Sequence, residues 1–265
     1  MRRDVSARIE LELRGEVELI FSVAVAGPRA REELSAVLDG APAALEELQD
    51  AHGTRLHRLR TGPGRFELAY SAAVDGGAAA PQPEPDGGVD AIRYLRPSRY
   101  CESDSLAPTA LAEFAGLRGR PLLDAVSSWV GTHLSYVPGS SQPTDGAVRT
   151  LLDRRGVCRD YAHLCTALLR ALDVPARVVS VYAPGLRPMD FHAVCEAFVD
   201  GRWCVVDATA LAPRTSMLRI ATGRDAADTA FLTVLHGQAD LLGLEVLAVA
   251  DELPADDAAE VVVLG

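Results

Sequence analysis

One short stretch limits what this chain can fold into more than any other: Gly156-Val157-Cys158-Arg159-Asp160-Tyr161-Ala162-His163-Leu164-Cys165. It reads as a tight turn that runs straight into a helix. Gly156 permits the turn. Tyr161, Ala162, Cys165, Leu168, Leu169 and Leu172 recur at helical spacing, giving a helix of about four turns. Cys158 falls in its first turn. There the unpaired backbone N–H groups and a partial charge of roughly +0.5 favour a thiolate over a thiol. A sulfur so placed is a candidate nucleophile. Taken alone it is equally well a small apolar residue at a helix start, so the remainder of the chain must decide.

At 265 residues the chain holds one large domain or two small ones, each able to bury a core. No apolar run is long enough to span a membrane. The N-terminus has two arginines but no apolar segment behind them, because Ile9, Leu11 and Leu13 alternate with charged residues; no secretory signal is read there. The five cysteines (101, 158, 165, 195 and 204) form no CxxC pair. A reducing cytoplasm is therefore expected, with neither a disulfide framework nor a zinc site. The net charge of −11 argues against nucleic acid or an anionic membrane as a partner. Every Lys+Arg residue is an arginine, so the protein has no lysine side chain to offer as an acyl acceptor.

Residues 4–26 alternate apolar and polar around Gly15, which predicts two strands with a turn near Arg14-Gly15. For residues 43–49 local propensity favours helix and the β-rich surroundings favour strand. A hairpin is expected across Gly62-Pro63-Gly64. Residues 76–90 are rich in Gly, Ala and Pro and read as a mobile loop or linker. Residues 91–105 are expected to run extended. The period then turns helical: a short helix from Pro108-Thr109 to Phe114, another opened by Pro121, and a third at 147–152. Beyond the Cys158 helix, three strands are expected at 176–182, 192–199 and 203–208. Residues 216–250 read as a strand, a short turn or helix at Asp225–Asp228, and two more strands. The acidic stretch 251–260 is expected to be a solvated edge.

His192 to Thr209 reads as one β-hairpin around the two-residue turn Asp200-Gly201. With that turn, Val199 faces Arg202 and partner numbers sum to 401. His192 and Asp207 then share a face as diagonal neighbours about 7–8 Å apart along the backbone. Phe198 faces Trp203 as an aromatic anchor. Asp207 can hold one imidazole nitrogen while the other faces a thiol. A histidine or an aspartate in such a strand is by itself an ordinary structural residue. Cys158, His192 and Asp207 together match one mechanistic template, in the order Cys…His…Asp.

Four segments carry a resemblance: Gly156–His163, Val174–Tyr182, Pro188-Met189-Asp190-Phe191-His192-Ala193, and Trp203-Cys204-Val205-Val206-Asp207-Ala208-Thr209. Together they resemble the bacterial transglutaminase-like cysteine enzymes, densely over about 120–215. The Arg93–Cys101 stretch and the β-rich start look like that family's N-terminal extension, and Gly223–Asp228 is also of its kind. The resemblance implies an α+β fold with a papain-like or transglutaminase-like core, helices packed on an antiparallel sheet. A β-rich N-terminal domain at 1–105 would precede a catalytic domain at 106–265. It assigns Cys158 as nucleophile, His192 as base and Asp207 as the orienting acid.

Two positions depart from the common pattern. Val194 stands where many members carry Trp after His-Ala, and Cys204 where an aromatic is common. For the oxyanion, the Cys158 backbone N–H is the default donor, with Trp129 or Tyr136 as helpers. Cys165, Cys195, Cys204 and His163 read as structural, while Asp160 and Tyr161 are candidates for shaping the site. No EF-hand-type loop is present, and neither a cofactor nor a metal is expected. The expected substrate is a protein or peptide amide. Hydrolysis is favoured by analogy with the family, transfer to an amine is the alternative, and a non-catalytic scaffold that kept the fold is the reading from a different class.

Overall fold

The structure is a computed structural model, and it describes residues 1–76, 88–257 and 260–264. Most of the linker expected at 76–90 lies outside these residues.

The alternating pattern of the first residues produces one strand, not two: β1, Arg2–Phe21. Gly15, at φ +79°, makes a bulge in a continuing strand. The reason is a partner that runs past it. Strand β13 (Leu232–Ala250) pairs antiparallel along the whole of β1, with its register shifting between Arg14 and Glu18. Gly237 of β13 packs there at φ +82°, where a Cβ would come within 2.3 Å of the Glu16 carbonyl oxygen. The two strands expected near the end of the chain are thus this single long one.

On its other side β1 pairs with β6 (Gly64–Asp75) and β5 (Arg55–Thr61). Outside these lie β2 (Arg31–Leu38) with β3 (Ala41–Pro42), and β4 (Glu46–Gln49). The segment of mixed propensity at 43–49 therefore supplies a strand. Glu46 and Glu47 pair with Arg58 and Arg55 on the neighbouring β5, so cross-strand ion pairs and the ladder outweigh local helix propensity.

Residues 91–105 are not extended. A short helix α1 (Val89–Arg93) precedes α2, which starts at Ser103 and runs to Phe114 with Pro108 inside it. Next come α3 (Gly119–His133), β7 (Ser135–Tyr136), α4 (Ala147–Asp153), β8 (Arg155–Gly156) and α5 (Cys158–Ala171). The four strands β9 (Ala176–Tyr182), β10 (Phe191–Val199), β11 (Arg202–Val206) and β12 (Leu218–Gly223) form a second antiparallel sheet, ordered β11-β10-β9-β12. A one-turn helix, α6 (Ala226–Thr229), leads into β13.

Helix α5 is buried on every side from Asp160 to Arg170. Its leucines pack with α2, α3 and the inner residues Val178, Cys195, Ala197 and Val206 of the second sheet. A separate core joins the two sheets, where Tyr182, Leu218 and Ile220 pack among the inward side chains of β1 and β6. Glu196 of β10, wholly buried, is bound by Arg177 of the adjacent β9 at 2.8 Å and by Arg219 of β12, one strand further, at 2.7 Å. Burial would push this carboxyl up, and the two guanidinium charges reverse that and hold it below the ordinary range.

The boundary expected at 105/106 needs one correction. Residues 232–250 belong to the sheet that residues 2–21 begin, so the β-rich unit takes strands from both sides of the helical part of the chain. The acidic stretch 251–260 is also not simply solvated: Asp256 holds Arg214, and Val262 and Leu264 beyond it are buried, with the Val262 carbonyl accepting the Val205 N–H at 2.8 Å. No helix among the described residues is long and apolar enough to cross a membrane.

Candidate active site

Helix α5 begins at Cys158 itself, with Val157 in extended backbone as its N-cap. Asp160, in the first turn, accepts the Val157 N–H at 2.8 Å and the Ser141 hydroxyl at 2.9 Å. A carboxylate there satisfies one free donor and complements the helix dipole. This contact also explains Gly156, which does not serve a tight turn as expected. Gly156 lies in β8 with extended backbone, and the left-handed residue is Arg154 at φ +54°. A Cβ on residue 156 would stand 2.6 Å from the Asp160 Cβ. The glycine is needed for the close approach of Asp160, which sets where the helix starts. Asp160 thus shapes the site, and nothing in residue spacing alone marks it for that role.

The hairpin register is the expected one. Val199 faces Arg202, Phe198 faces Trp203 and Cys195 faces Val206, with the Phe198 and Trp203 rings 5.3 Å apart. Asp207 follows directly. Its Oδ2 lies 3.0 Å from His192 Nε2, and its Oδ1 accepts the Thr209 N–H at 2.9 Å and hydroxyl at 2.7 Å. Both carboxylate oxygens are engaged, so the ring is held from a fixed point. His192 Nδ1 is buried and accepts or donates no well-formed hydrogen bond, and after Asp207 the group acting most on the ring is Cys158. Burial works against a charged imidazole. The buried Asp207 carboxylate and its hydrogen bond outweigh that, aided by Cys158, and raise the His192 pKa to about 10. The Asp207 carboxyl is in turn held below its ordinary value: burial opposes, but the His192 charge and the hydrogen bonds from His192 and Thr209 prevail. Cys158 is partly exposed and forms no disulfide.

Tyr136 and Trp129 part ways. Tyr136 pairs with Gly156 across the short parallel ladder of β7 and β8, with its ring 5.9 Å from that of Tyr161. This puts its hydroxyl close enough to Cys158 for both the backbone and the side chain of that residue to act on it. Burial, then the neighbouring Cys158, push the phenol up to about 12, which keeps it a neutral donor. Trp129 instead donates to Glu113 at 3.1 Å and stacks on His133 at 4.1 Å. It braces α3 against α2. Asp190, two residues before His192, accepts the Phe191 N–H at 2.7 Å and acts electrostatically on both His192 and Tyr136.

The remaining residues singled out in the sequence hold the scaffold. His163 Nε2 accepts the Ala226 N–H at 3.1 Å and its ring stacks on Tyr100. Burial drives its pKa down to about 3, so it stays neutral. Asp225 caps α6 and accepts the Tyr100 N–H at 2.9 Å. Cys101, Cys165 and Cys195 are fully buried thiols, pushed up by burial, and Cys195 and Cys204 are not bonded.

Residues 100–208 match the family model of the transglutaminase-like superfamily. The crystal structure, to 1.9 Å, of a Cytophaga hutchinsonii protein described as a "Putative Cysteine Protease" superposes with a TM-score of 0.87. It is 32% identical, and the match covers 98% of this chain and 95% of that one. An uncharacterized protein of Mycobacterium leprae is 27% identical over 136 residues, 48% of this chain and 49% of that protein. One of Mycobacterium tuberculosis is 38% identical over 79 residues, 28% of this chain and 25% of that protein. This chain thus matches about half or less of the length of these curated relatives. With its fold, its helix-terminal cysteine and the facing hairpin, the chain belongs to the transglutaminase-like superfamily.

Proposed function

We propose that this protein is a cysteine peptidase or amidase that works through a thioester, with Cys158 as nucleophile, His192 as acid and base, and Asp207 as the group that orients and charges the ring. The observation that carries the reading is the placement of one buried imidazole between a carboxylate at 3.0 Å and a sulfur at a helix N-terminus.

In the first half-reaction the Cys158 thiolate attacks the amide carbonyl carbon, and the carbonyl π pair moves to oxygen. The C–N bond then breaks as His192 passes its proton to the leaving amine. Water attacks the thioester in the second half, His192 takes its proton, and the C–S bond breaks to release the acid and the thiolate. The developing oxyanion is held by the Cys158 backbone N–H and the Tyr136 hydroxyl. Each such donor is worth about 10²–10³ in kcat in a site of this kind. Asp207 does not take the proton; it stabilises the imidazolium. Five unpaired thiols support a reducing, cytoplasmic setting, and the expected substrate is a protein or peptide.

One observation favours transfer to an amine as a second reading. Asp190 sets negative charge beside the site, where a protonated primary amine would approach. The test is turnover of an amide substrate in the presence and absence of a primary diamine, with mass spectrometry of the products. Iodoacetamide-sensitive release of amine that disappears in Cys158→Ala supports the reading. Unchanged turnover in that variant overturns it. A diamine adduct in place of the free acid selects transfer.

A further inference from the structure

We infer, building on the triad chemistry proposed above, that Gly131 and the Arg214–Asp256 pair are positioning residues: they grip the turn that carries Asp207 from two sides and so aim the His192 ring.

Asp207 needs such support. The β10–β11 ladder ends where Cys195 faces Val206, so the sheet stops one residue short of Asp207. The turn beyond is bound within itself, since Asp207 Oδ1 accepts the Thr209 N–H and hydroxyl. Ala210 in the same turn stands at φ +50°, in the left-handed region that favours glycine. A residue held there costs free energy and persists only where its surroundings impose the conformation. Close packing does not impose it on every side. A cavity of about 560 Å³ has Asp207, Ala210 and Ala212 of the turn in its wall, together with Leu123 and Ser127 of α3 and Asp256. Part of the turn therefore borders open space, and its position depends on the contacts at its two ends.

The first contact is with α3. The Ala208 carbonyl oxygen comes so near that a Cβ on Gly131 would lie 2.8 Å from it. Glycine is a poor residue within a helix and alanine the best, so the helix itself gives no reason for Gly131. The carbonyl beside it does. The second contact is Arg214. Its Nε and Nη2 donate to the Asp256 carboxylate at 3.0–3.2 Å, its backbone N–H donates to the same group at 3.1 Å, and Nη2 reaches the Asp257 carbonyl at 2.6 Å. The Arg214 side chain is 11% exposed and that of Asp256 25%. This fork on a carboxylate is thus partly shielded from the water that weakens most surface ion pairs. Asp207 lies one residue from the first contact, and the strained Ala210 lies between the two.

An alanine at 131 must push the Ala208 carbonyl back by about half an ångström to reach ordinary contact. Misplacing a catalytic group by about 1 Å costs on the order of 10² in rate, so about a tenfold loss of kcat is expected. KM should stay within about twofold, because uniform substrate binding is untouched.

The test compares Gly131→Ala, Asp256→Asn and Arg214→Lys with the wild type, each shown by urea unfolding to be folded. It reads kcat and KM on an amide substrate, and the His192 titration by ¹⁵N NMR without substrate. Gly131→Ala and Asp256→Asn should each lower kcat about tenfold and move the His192 titration to lower pH. Arg214→Lys keeps the charge but loses the fork, and should fall between Asp256→Asn and the wild type. Arg14→Ala, which removes the exposed Arg14–Asp240 pair of the large sheet, should change neither readout. Wild-type kcat and an unmoved His192 titration in Gly131→Ala and Asp256→Asn overturn the inference. A lower kcat with an unmoved titration also overturns it, because loss of general structure alone would give that result. If Asp256→Asn does not fold, Gly131→Ala decides by the same two readouts. The titration needs no turnover, so full activity in Cys158→Ala would reject the proposed chemistry while the grip on Asp207 is still judged from the ring.

Discussion

His192 Nε2 and Asp207 Oδ2 stand 3.0 Å apart, and the second oxygen of the same carboxylate is tied to Thr209. The ring is therefore aimed by a carboxylate that cannot swing. Asp207→Asn keeps the shape but removes the charge and the tautomer control. Turnover of the amide substrate is expected to fall by about 10³ or more, and the His192 ring, followed by ¹⁵N NMR, should lose its raised pKa. A variant that turns over normally would remove Asp207 from the mechanism.

The same pair makes stability depend on pH. The folded-state pKa of His192 is raised to about 10 from an ordinary value of about 6.5. Its contribution is thus fully present below about 6.5 and is lost as pH rises through about 10. The Asp207 shift is downward, so that carboxylate's contribution is present above its ordinary value of about 4 and is lost in acid. Urea unfolding at a series of pH values should show stability falling across the alkaline window, with a shallower fall in Asp207→Asn.

Tyr136→Phe removes one hydroxyl from beside Cys158. The expected loss is about 10²-fold in kcat with little change in KM, and alkylation of Cys158 by iodoacetamide should persist. If activity is unchanged, the oxyanion is held by other donors.

Much of this was legible in the sequence. The Asp200-Gly201 turn dictates the register, and the register brings His192 beside Asp207. The helix period likewise locates Cys158. Interactions distant along the chain were not legible. Gly15 looks like a hairpin turn until β13 is seen running past it, and the 43–49 segment needs Arg55 and Arg58 to become a strand. Tyr136 and Trp129 look alike as aromatic neighbours of the site. Only the β7–β8 ladder, two residues per strand, sends one to the sulfur while Glu113 and His133 hold the other away. Glu196 gives no sign in the sequence that it is buried between two arginines.

That ion cluster offers a stability test. Glu196→Gln leaves Arg177 and Arg219 buried beside a neutral amide. Removing one partner of a buried cluster costs about 3–5 kcal/mol, readable by urea denaturation. A change below about 0.5 kcal/mol would mean that water reaches the arginines.

Gly156→Ala forces a Cβ against Asp160. A destabilisation of about 1–3 kcal/mol is expected, together with reduced turnover, since Asp160 must retreat from Val157 and loosen the first turn that carries Cys158. Asp160→Gly with Gly156→Ala removes the Cβ that the new methyl meets, and should recover part of the stability but not the activity.

Strand β1 leaves the ribosome about 210 residues before β13, yet each lies along nearly the whole length of the other. During synthesis β1 must therefore wait with one side bare until β13 emerges. Translation adds about 5–20 residues per second, so that exposure lasts on the order of ten seconds or more, and a cell making this protein has a defined interval in which chaperone protection of β1 would matter.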